Sequence, residues 1–395
     1  MNENSAAKPQ PAARSTGDDE GRAIRPLIVT FGSIIEPDGG LQVRSRILAE
    51  SLASLGIPPT ILSTRESRPL DPPPQWARAI HVPSQRPWRG FSREWARMIR
   101  HHARSADVII VSNAMFMPAV EMSGTRLPMI WDTNECQTLH YERLDRTAVN
   151  LSKQLIWWGL ERWAAKRCTI AVAIGQSEAS EWNRIHTPLR GKLMTVDHAA
   201  YVPSDHLHDG EAELEEQMGG SLHRPILLFV GTIAAKHNAV AARWLIDVLA
   251  PTLPDTVTIV MCGPGSDRLV GRGKSGARLV LLGAVDDIDS IIDAADLCLA
   301  PLATGAGVKT KVLHYLAHGK RIAGTPIAFE GLSGAPGLLE APLDGLPELV
   351  ARIIATPESA EAAQSRVTAQ LVWLADRHGR PLIVDQWRNV LACLK

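Results

Sequence analysis

The stretch PLATGAGVKTKVLHYLAHGKRIAGTPIAFEGL, residues 301–332, decides the fold. Just ahead of it, the residues from Leu297 run apolar to Leu302, the pattern of a short strand covered on both faces in a parallel sheet. Gly305 and Gly307 then supply a loop without β-carbons. The run from Val308 to Ala317 has helical apolar spacing at 308, 312, 313, 316 and 317, and Gly319 stands where a helix C′ residue belongs. The unit is strand, glycine loop, helix. The free amides of such a helix start, with Lys309 and Lys311 nearby, form a site for an anion, phosphate first among them. Spacing alone fits an ordinary strand-to-helix turn with solvated lysines equally well.

The same unit recurs along the chain. Leu27 to Phe31 is a strand, Gly39 and Gly40 lie in the loop after it, and a helix follows with apolar residues at 41, 43, 47, 48, 52 and 55, closed by Gly56. Further strands are expected at 60–63, 107–112, 128–134, 169–175 and 193–199, separated by helices such as 92–104 and 150–167. This alternation means a doubly wound parallel sheet. From Pro203 to Arg224 the chain turns polar and acidic, which marks an interdomain linker. Beyond it the scheme repeats, with strands at 226–230, 257–263, 279–283 and 297–302 and helices at 238–249, 286–294 and 308–317. The expected organisation is therefore a disordered tail (1–25), a Rossmann-like domain (26–202), a linker (203–224), a second Rossmann-like domain (225–368), and a helical segment (369–395) packing back on the first domain. Open α/β sheets bind ligands beyond the C-terminal ends of their strands, so two such domains place their glycine loops around a shared cleft.

Composition narrows the function. At 395 residues, each half is long enough to bury its own core. Lysine plus arginine and aspartate plus glutamate number 42 each, so no global field recruits nucleic acid. Five cysteines, scattered and without a CxxC pair, point to free thiols in a reducing compartment such as the cytoplasm. No segment reaches the roughly 18 apolar residues of a membrane span. The helix at 92–104 sets Arg93, Arg97, Arg100 and Arg104 opposite Trp95, Met98 and Ile99. That pattern describes either a peripheral contact with an anionic membrane or an ordinary solvated face above a core stripe. Trp157, Trp158 and Trp163, beside Lys166 and Arg167, are expected in the core, the alternative being a membrane anchor.

Three stretches, LLFVGTIAAKHNAVAARWLIDVLAP (227–251), VMCGPGSDRL (260–269) and the run from LGAVDD to FEGL (282–332), together resemble the nucleotide-binding domain of GT-B glycosyltransferases. The likeness is greatest to the retaining family 4 group. PDGGLQVRSRILAESLASLG (37–56) is similar to that family's acceptor-side loop, WDTNE (131–135) to its next cleft segment, and LERWAAKRCTIAVAIGQSEASEW (160–182) to the stretch that follows. The resemblance implies transfer of a sugar from a nucleotide diphosphate sugar to an acceptor hydroxyl with retention of configuration. It implies no cofactor and no metal, the nucleotide sugar itself being the donor substrate. The acceptor, whether sugar, glycolipid or natural product, is not specified.

By the same resemblance, Gly231, Thr232, Lys236, Gly305, Gly307, Lys309 and Thr310 surround the donor diphosphate, and Gly39 and Gly40 let the first domain approach it closely. Thr232 stands where many members carry Arg. Asp132 and Asn134, with Lys236, are the expected catalytic groups; Arg44, Asn134 and Glu135 lie on the acceptor side. Of the family's Glu-x7-Glu pair, the first glutamate falls on Ala306 and the second, which holds the ribose, on His314. A neutral imidazole can accept one hydrogen bond from ribose but lacks the paired, charged oxygens of a carboxylate. His314 is alternatively a packing residue. Three functions stay open: an active transferase, a GT-B binding or scaffold protein with a degenerate donor site, and a GT-B sugar-nucleotide epimerase. A dehydrogenase is disfavoured, since no GxGxxG follows the first strand.

Overall fold

The computed structural model describes residues 23–34, 40–64, 78–82, 92–201, 210–218, 223–269, 276–305 and 307–394. Gly39, Ala306, most of the expected tail and much of the expected linker lie outside the described residues.

The first domain alternates β1 (Pro26–Val29), α1 (Gly40–Ser54), β2 (Thr60–Ser63), β3 (Arg78–His81), α2 (Arg93–Ala103), β4 (Val108–Val111), α3 (Met117–Ser123), β5 (Met129–Asp132), α4 (Gln137–Glu142), α5 (Ala148–Arg167), β6 (Ile170–Ala173), α6 (Gly175–Ile185) and β7 (Leu193–Thr195). Its sheet has the order β3-β2-β1-β4-β5-β6-β7, with every pairing parallel. β1, β4, β5 and β6 are buried at every residue because helices cover both faces, which is why they read as unbroken apolar runs.

The second domain begins with α7 (Gly210–Met218) and continues through β8 (Ile226–Val230), α8 (Lys236–Trp244), β9 (Thr258–Cys262), β10 (Arg278–Gly283), α9 (Ile288–Ala294), β11 (Leu297–Ala300), α10 (Thr310–Ala317), β12 (Ile322–Gly324), β13 (Leu338–Glu340), α11 (Leu346–Ala355), α12 (Ala360–His378) and α13 (Arg380–Ala392). The order β10-β9-β8-β11-β12-β13 is again wholly parallel. In each sheet the strand order reverses once, between β1 and β4 and between β8 and β11. Those switch points open the crevices where ligands of doubly wound folds bind.

Four features differ from the sequence reading. β3 and β13 are short edge strands without a buried residue, so they leave no apolar signature. The acidic stretch read as linker contains α7, which joins the second core through the fully buried Leu214. Residues 23–25 are tied down, the Arg25 guanidinium pairing with Asp107 at 2.9 Å. Trp158 and Trp163 are exposed, 40% and 38%, and the first three turns of α5 bury no residue.

The chain end couples the halves. α12 lies along the second domain, where Arg366 and Gln370 donate to the carbonyls of Gly319 and Lys320. α13 crosses to the first domain and seats Ile383, Trp387, Val390 and Leu391 in the core beside α1. Each such side chain contributes roughly 2 kcal/mol by burial. Gln386 completes the attachment with a reciprocal pair of 2.8 Å bonds to Asp197, its amide donating to the carboxylate and its carbonyl accepting from the backbone NH.

Candidate active site

Both switch points face one cleft, and the loops after β8 and β11 form its second-domain wall. Gly305 and Gly307 have φ of +132° and +71°, backbone states that only glycine adopts without strain. The turn they make brings Lys309 to the N-cap of α10, and Thr310 begins the helix. Lys309 is nearly buried, its ammonium donating to the Gly307 carbonyl and lying 3.9 Å from Glu330. Burial lowers its pKa, against the opposing pull of Glu330 and Glu135. A buried cation beside unpaired helix amides is what a diphosphate needs.

Lys311 does not join it. Its ammonium donates to Asn238 Oδ1 at 2.6 Å and sits 4.3 Å from the Phe229 ring centroid, and burial pushes its pKa down to about 7. After β8, Gly231 packs against Asn238, where a β-carbon would approach to 2.8 Å, and Thr232 is half-buried. Lys236 is exposed as the first residue of α8. His237, next to it, is held neutral, its pKa lowered to about 4 by burial and then by Lys311.

The first-domain wall comes close. A β-carbon on Gly40 would lie 3.4 Å from the Thr310 methyl, and one on Gly307 would lie 3.4 Å from Glu178 Oε1. Arg143, at the end of α4, reaches across the cleft and donates to the Gly305 carbonyl at 2.6 Å while pairing with Glu330 at 2.9 Å. Sequence reading missed Arg143, since neither partner is near it in the chain.

Arg44 and Asp132 face each other rather than the cleft. The guanidinium makes three bonds of 2.7–3.0 Å to the carboxylate, with exposures of only 3% and 0%, and Nη1 donates to the Val196 carbonyl. Asp132 thus fixes the end of β5 against α1 and is not open to a hydroxyl. Asn134 follows in a left-handed conformation, φ +53°, its amide donating to the carbonyls of Ser112 and Asp132. Such a residue stores local strain where the chain must turn sharply. The turn presents Glu135, which lies 3.4 Å from His140 Nδ1 and accepts from Gln137. Burial opposes ionisation of Glu135, but the contact with His140 and the nearby Lys309 ammonium favour the carboxylate, and its pKa is lowered.

Two buried acids support this wall. Glu161 caps α4, accepting from the Gln137 NH at 2.8 Å, the Thr138 hydroxyl at 2.5 Å and His186 Nε2 at 3.0 Å. Glu178, in the first turn of α6, accepts from the Ile174 NH through Oε2, while Oε1 has no hydrogen-bond partner among the described residues. Burial pushes its pKa up to about 8, despite that bond and Arg44. At neutral pH it is an uncharged acid able to donate toward the glycine loop.

His314 is engaged. Its Nε2 donates to Asp289 Oδ1 at 2.7 Å, and its ring lies against Tyr201, centroids 3.9 Å apart. Nothing in the local sequence marks Asp289 as its partner.

Residues 224–357 match the family model described as Glycosyl transferases group 1. That match lies within the second domain. The fold of the whole chain is GT-B, as its solved likenesses show. Sucrose-phosphate synthase from Thermosynechococcus elongatus superposes with a TM-score of 0.71 at 12% identity, over 93% of this chain and 99% of that one. WaaG, a glycosyltransferase involved in lipopolysaccharide biosynthesis, gives 0.67 at 15% identity, over 92% and 98%. HepE of Anabaena, solved in complex with UDP-glucose, gives 0.65 at 14% identity, over 93% and 99%. No curated protein sequence matches this chain significantly.

Of the sequence-derived site residues, the GT-B cleft brings together Gly40, Gly305, Gly307, Lys309 and Thr310. Asn134 and Glu135 lie on the opposite wall, Gly231, Thr232 and Lys236 border the loop after β8, Arg44 and Asp132 stand behind the wall, and His314 lies one turn down α10.

Proposed function

We propose that this protein is a retaining, metal-independent glycosyltransferase that moves a sugar from a nucleoside diphosphate sugar to an acceptor hydroxyl. The observation that carries this is Lys309, a nearly buried cation at the N-cap of α10, set behind a left-handed glycine loop that faces the first domain. Charge develops on the departing diphosphate, so cations and amides aimed there stabilise the transition state most. Lys309, Thr310 and the loop amides hold the phosphates, and Lys236 approaches from α8. Arg143, already on the Gly305 carbonyl, supplies the cation that Thr232 does not. Asp132 is locked by Arg44 and Glu178 is uncharged, so neither is placed as a nucleophile. That favours front-side attack, with the acceptor proton passing to the leaving phosphate.

A second reading has its own observation. His314 is bonded to Asp289 and covered by Tyr201 instead of standing open to a ribose, as expected of a degenerate donor site in a scaffold protein. Release of nucleoside diphosphate from a panel of nucleotide sugars, with and without sugar and lipid acceptors, separates the two. Turnover lost in Lys309→Ala supports the transferase; nucleotide binding without turnover on any pairing supports the scaffold.

The peripheral membrane contact extends beyond α2. Arg93, Arg97, Arg100 and Arg104 are exposed there, but Arg100 is committed to the carbonyls of Ser123 and Met122. On the same domain, α5 exposes Val149, Leu155, Ile156, Trp158 and Trp163, and its only acidic residue, Glu161, is buried. An apolar, basic surface of this kind suits an anionic bilayer and so a lipid-linked acceptor. Among the described residues, no helix is long and apolar enough to cross a membrane.

A further inference from the structure

We infer that Asp289, His314 and His318 form a binding site for one transition-metal ion of the zinc class, separate from the diphosphate loop. Two helices build it. α9 carries Asp289 and Asp293 one turn apart, and α10 with its C-cap carries His314 and His318 one turn apart, so each pair shares a helix face. Asp287 fixes the register of α9 by accepting from the NH groups of Asp289 and Ser290, each at 3.1 Å.

The ligand atoms converge. His314 Nε2 lies 2.7 Å and His318 Nε2 3.3 Å from Asp289 Oδ1, and the three atoms all lie within 4.8 Å of one another. Bonds of about 2.0–2.1 Å in a tetrahedron put ligands roughly 3.3 Å apart, so small rotations admit the ion. The outer contacts are those of a metal-binding histidine. His318 Nδ1 donates to Asp293 Oδ1 at 2.8 Å, which directs Nε2 inward. With Nδ1 donating outward, a second carboxylate contact at Nε2 requires a doubly protonated ring; an ion instead takes the lone pair of a neutral one. The side chains of Asp289 and His318 are 3% and 1% exposed, and that of His314, at 15%, is the most exposed of the three. The Tyr201 hydroxyl, 3.3 Å from Asp289 Oδ2, borders the remaining position.

Two imidazoles and one carboxylate select zinc, cobalt or nickel over magnesium or calcium, which prefer oxygen alone. The ion would clamp α10 to α9 beside Tyr201, and this holds whether or not the cleft transfers sugar.

The test uses the full chain, stripped with EDTA and titrated with zinc chloride by calorimetry, with metal content measured after gel filtration. One equivalent of zinc is expected, with affinity lowered roughly tenfold or more in Asp289→Asn and His318→Gln. Cys136→Ser and His186→Gln, which alter a separate buried group formed by Cys136, Glu161 and His186, should leave binding unchanged. Cobalt substituted into the unaltered protein should show no thiolate charge-transfer band, a readout that does not depend on the variants folding. Absence of bound zinc, binding undiminished in a folded His318→Gln variant, or a thiolate band would each overturn the assignment.

Discussion

Replacing Glu178 by glutamine should stabilise the protein, and by an amount that grows with pH. The carboxyl is buried between the end of β6 and the glycine loop, and its pKa rises from 4.5 to about 8, chiefly through desolvation. An acid with a raised folded pKa binds its proton more tightly in the native state, so stability falls as pH climbs through the interval between the two values. The loss begins near 4.5 and is complete only above 8. Each pH unit costs about 1.4 kcal/mol, so ionisation removes about 3 kcal/mol by pH 7. Glutamine keeps the acceptor for the Ile174 NH and carries no charge to desolvate. Urea unfolding of both proteins at pH 5, 6, 7 and 8 provides the assay. Tryptophan fluorescence reports on this region through Trp182, one turn along α6 and 5.0 Å from Trp131. The two stability curves should lie close together at pH 5 and separate steadily toward pH 8. Curves that run parallel, or a variant less stable at pH 8, would refute the reasoning.

Asp132→Asn leaves Arg44 buried without its countercharge and should cost about 3–5 kcal/mol in urea unfolding; a loss below about 1 kcal/mol would show that the pair is not buried as described. Gly307→Ala places a side chain at φ +71°, costing about 1–2 kcal/mol of strain, and should weaken nucleotide binding in calorimetry more than it shifts the unfolding midpoint. Leu155→Glu combined with Trp158→Glu should cut co-sedimentation with phosphatidylglycerol vesicles by more than tenfold, since each exposed apolar chain contributes about 2 kcal/mol on burial; thermal stability should hold, because neither residue is buried in the protein.

The parts of this molecule legible in the sequence are those whose physics is local. Fully buried parallel strands must be apolar throughout, so β1, β4, β8 and β11 stand out, and left-handed turns favour glycine, so Gly305, Gly307 and Gly319 mark the ends of their elements. Lys309 could be placed beside the loop for the same reason. What was illegible depends on pairing across the chain. Lys311 looks equivalent to Lys309 two residues earlier, yet one faces the loop and the other Asn238. Asp132 reads as a cleft residue until Arg44, 88 positions away, covers it. His314 reads as an isolated imidazole until α9 brings Asp289 to it, and the tryptophans of α5 read as core because nothing local shows that the first three turns of that helix stay uncovered.

Thermal unfolding of the purified chain with UDP, GDP, dTDP, ADP and CDP tests the central claim most directly. A ligand at about one hundred times its dissociation constant adds about 2.7 kcal/mol to the folded state. A donor site at the α10 N-terminus predicts that one nucleoside diphosphate raises the midpoint selectively and that Lys309→Ala removes most of the rise. A midpoint unmoved by all five, or raised equally in Lys309→Ala, would contradict it.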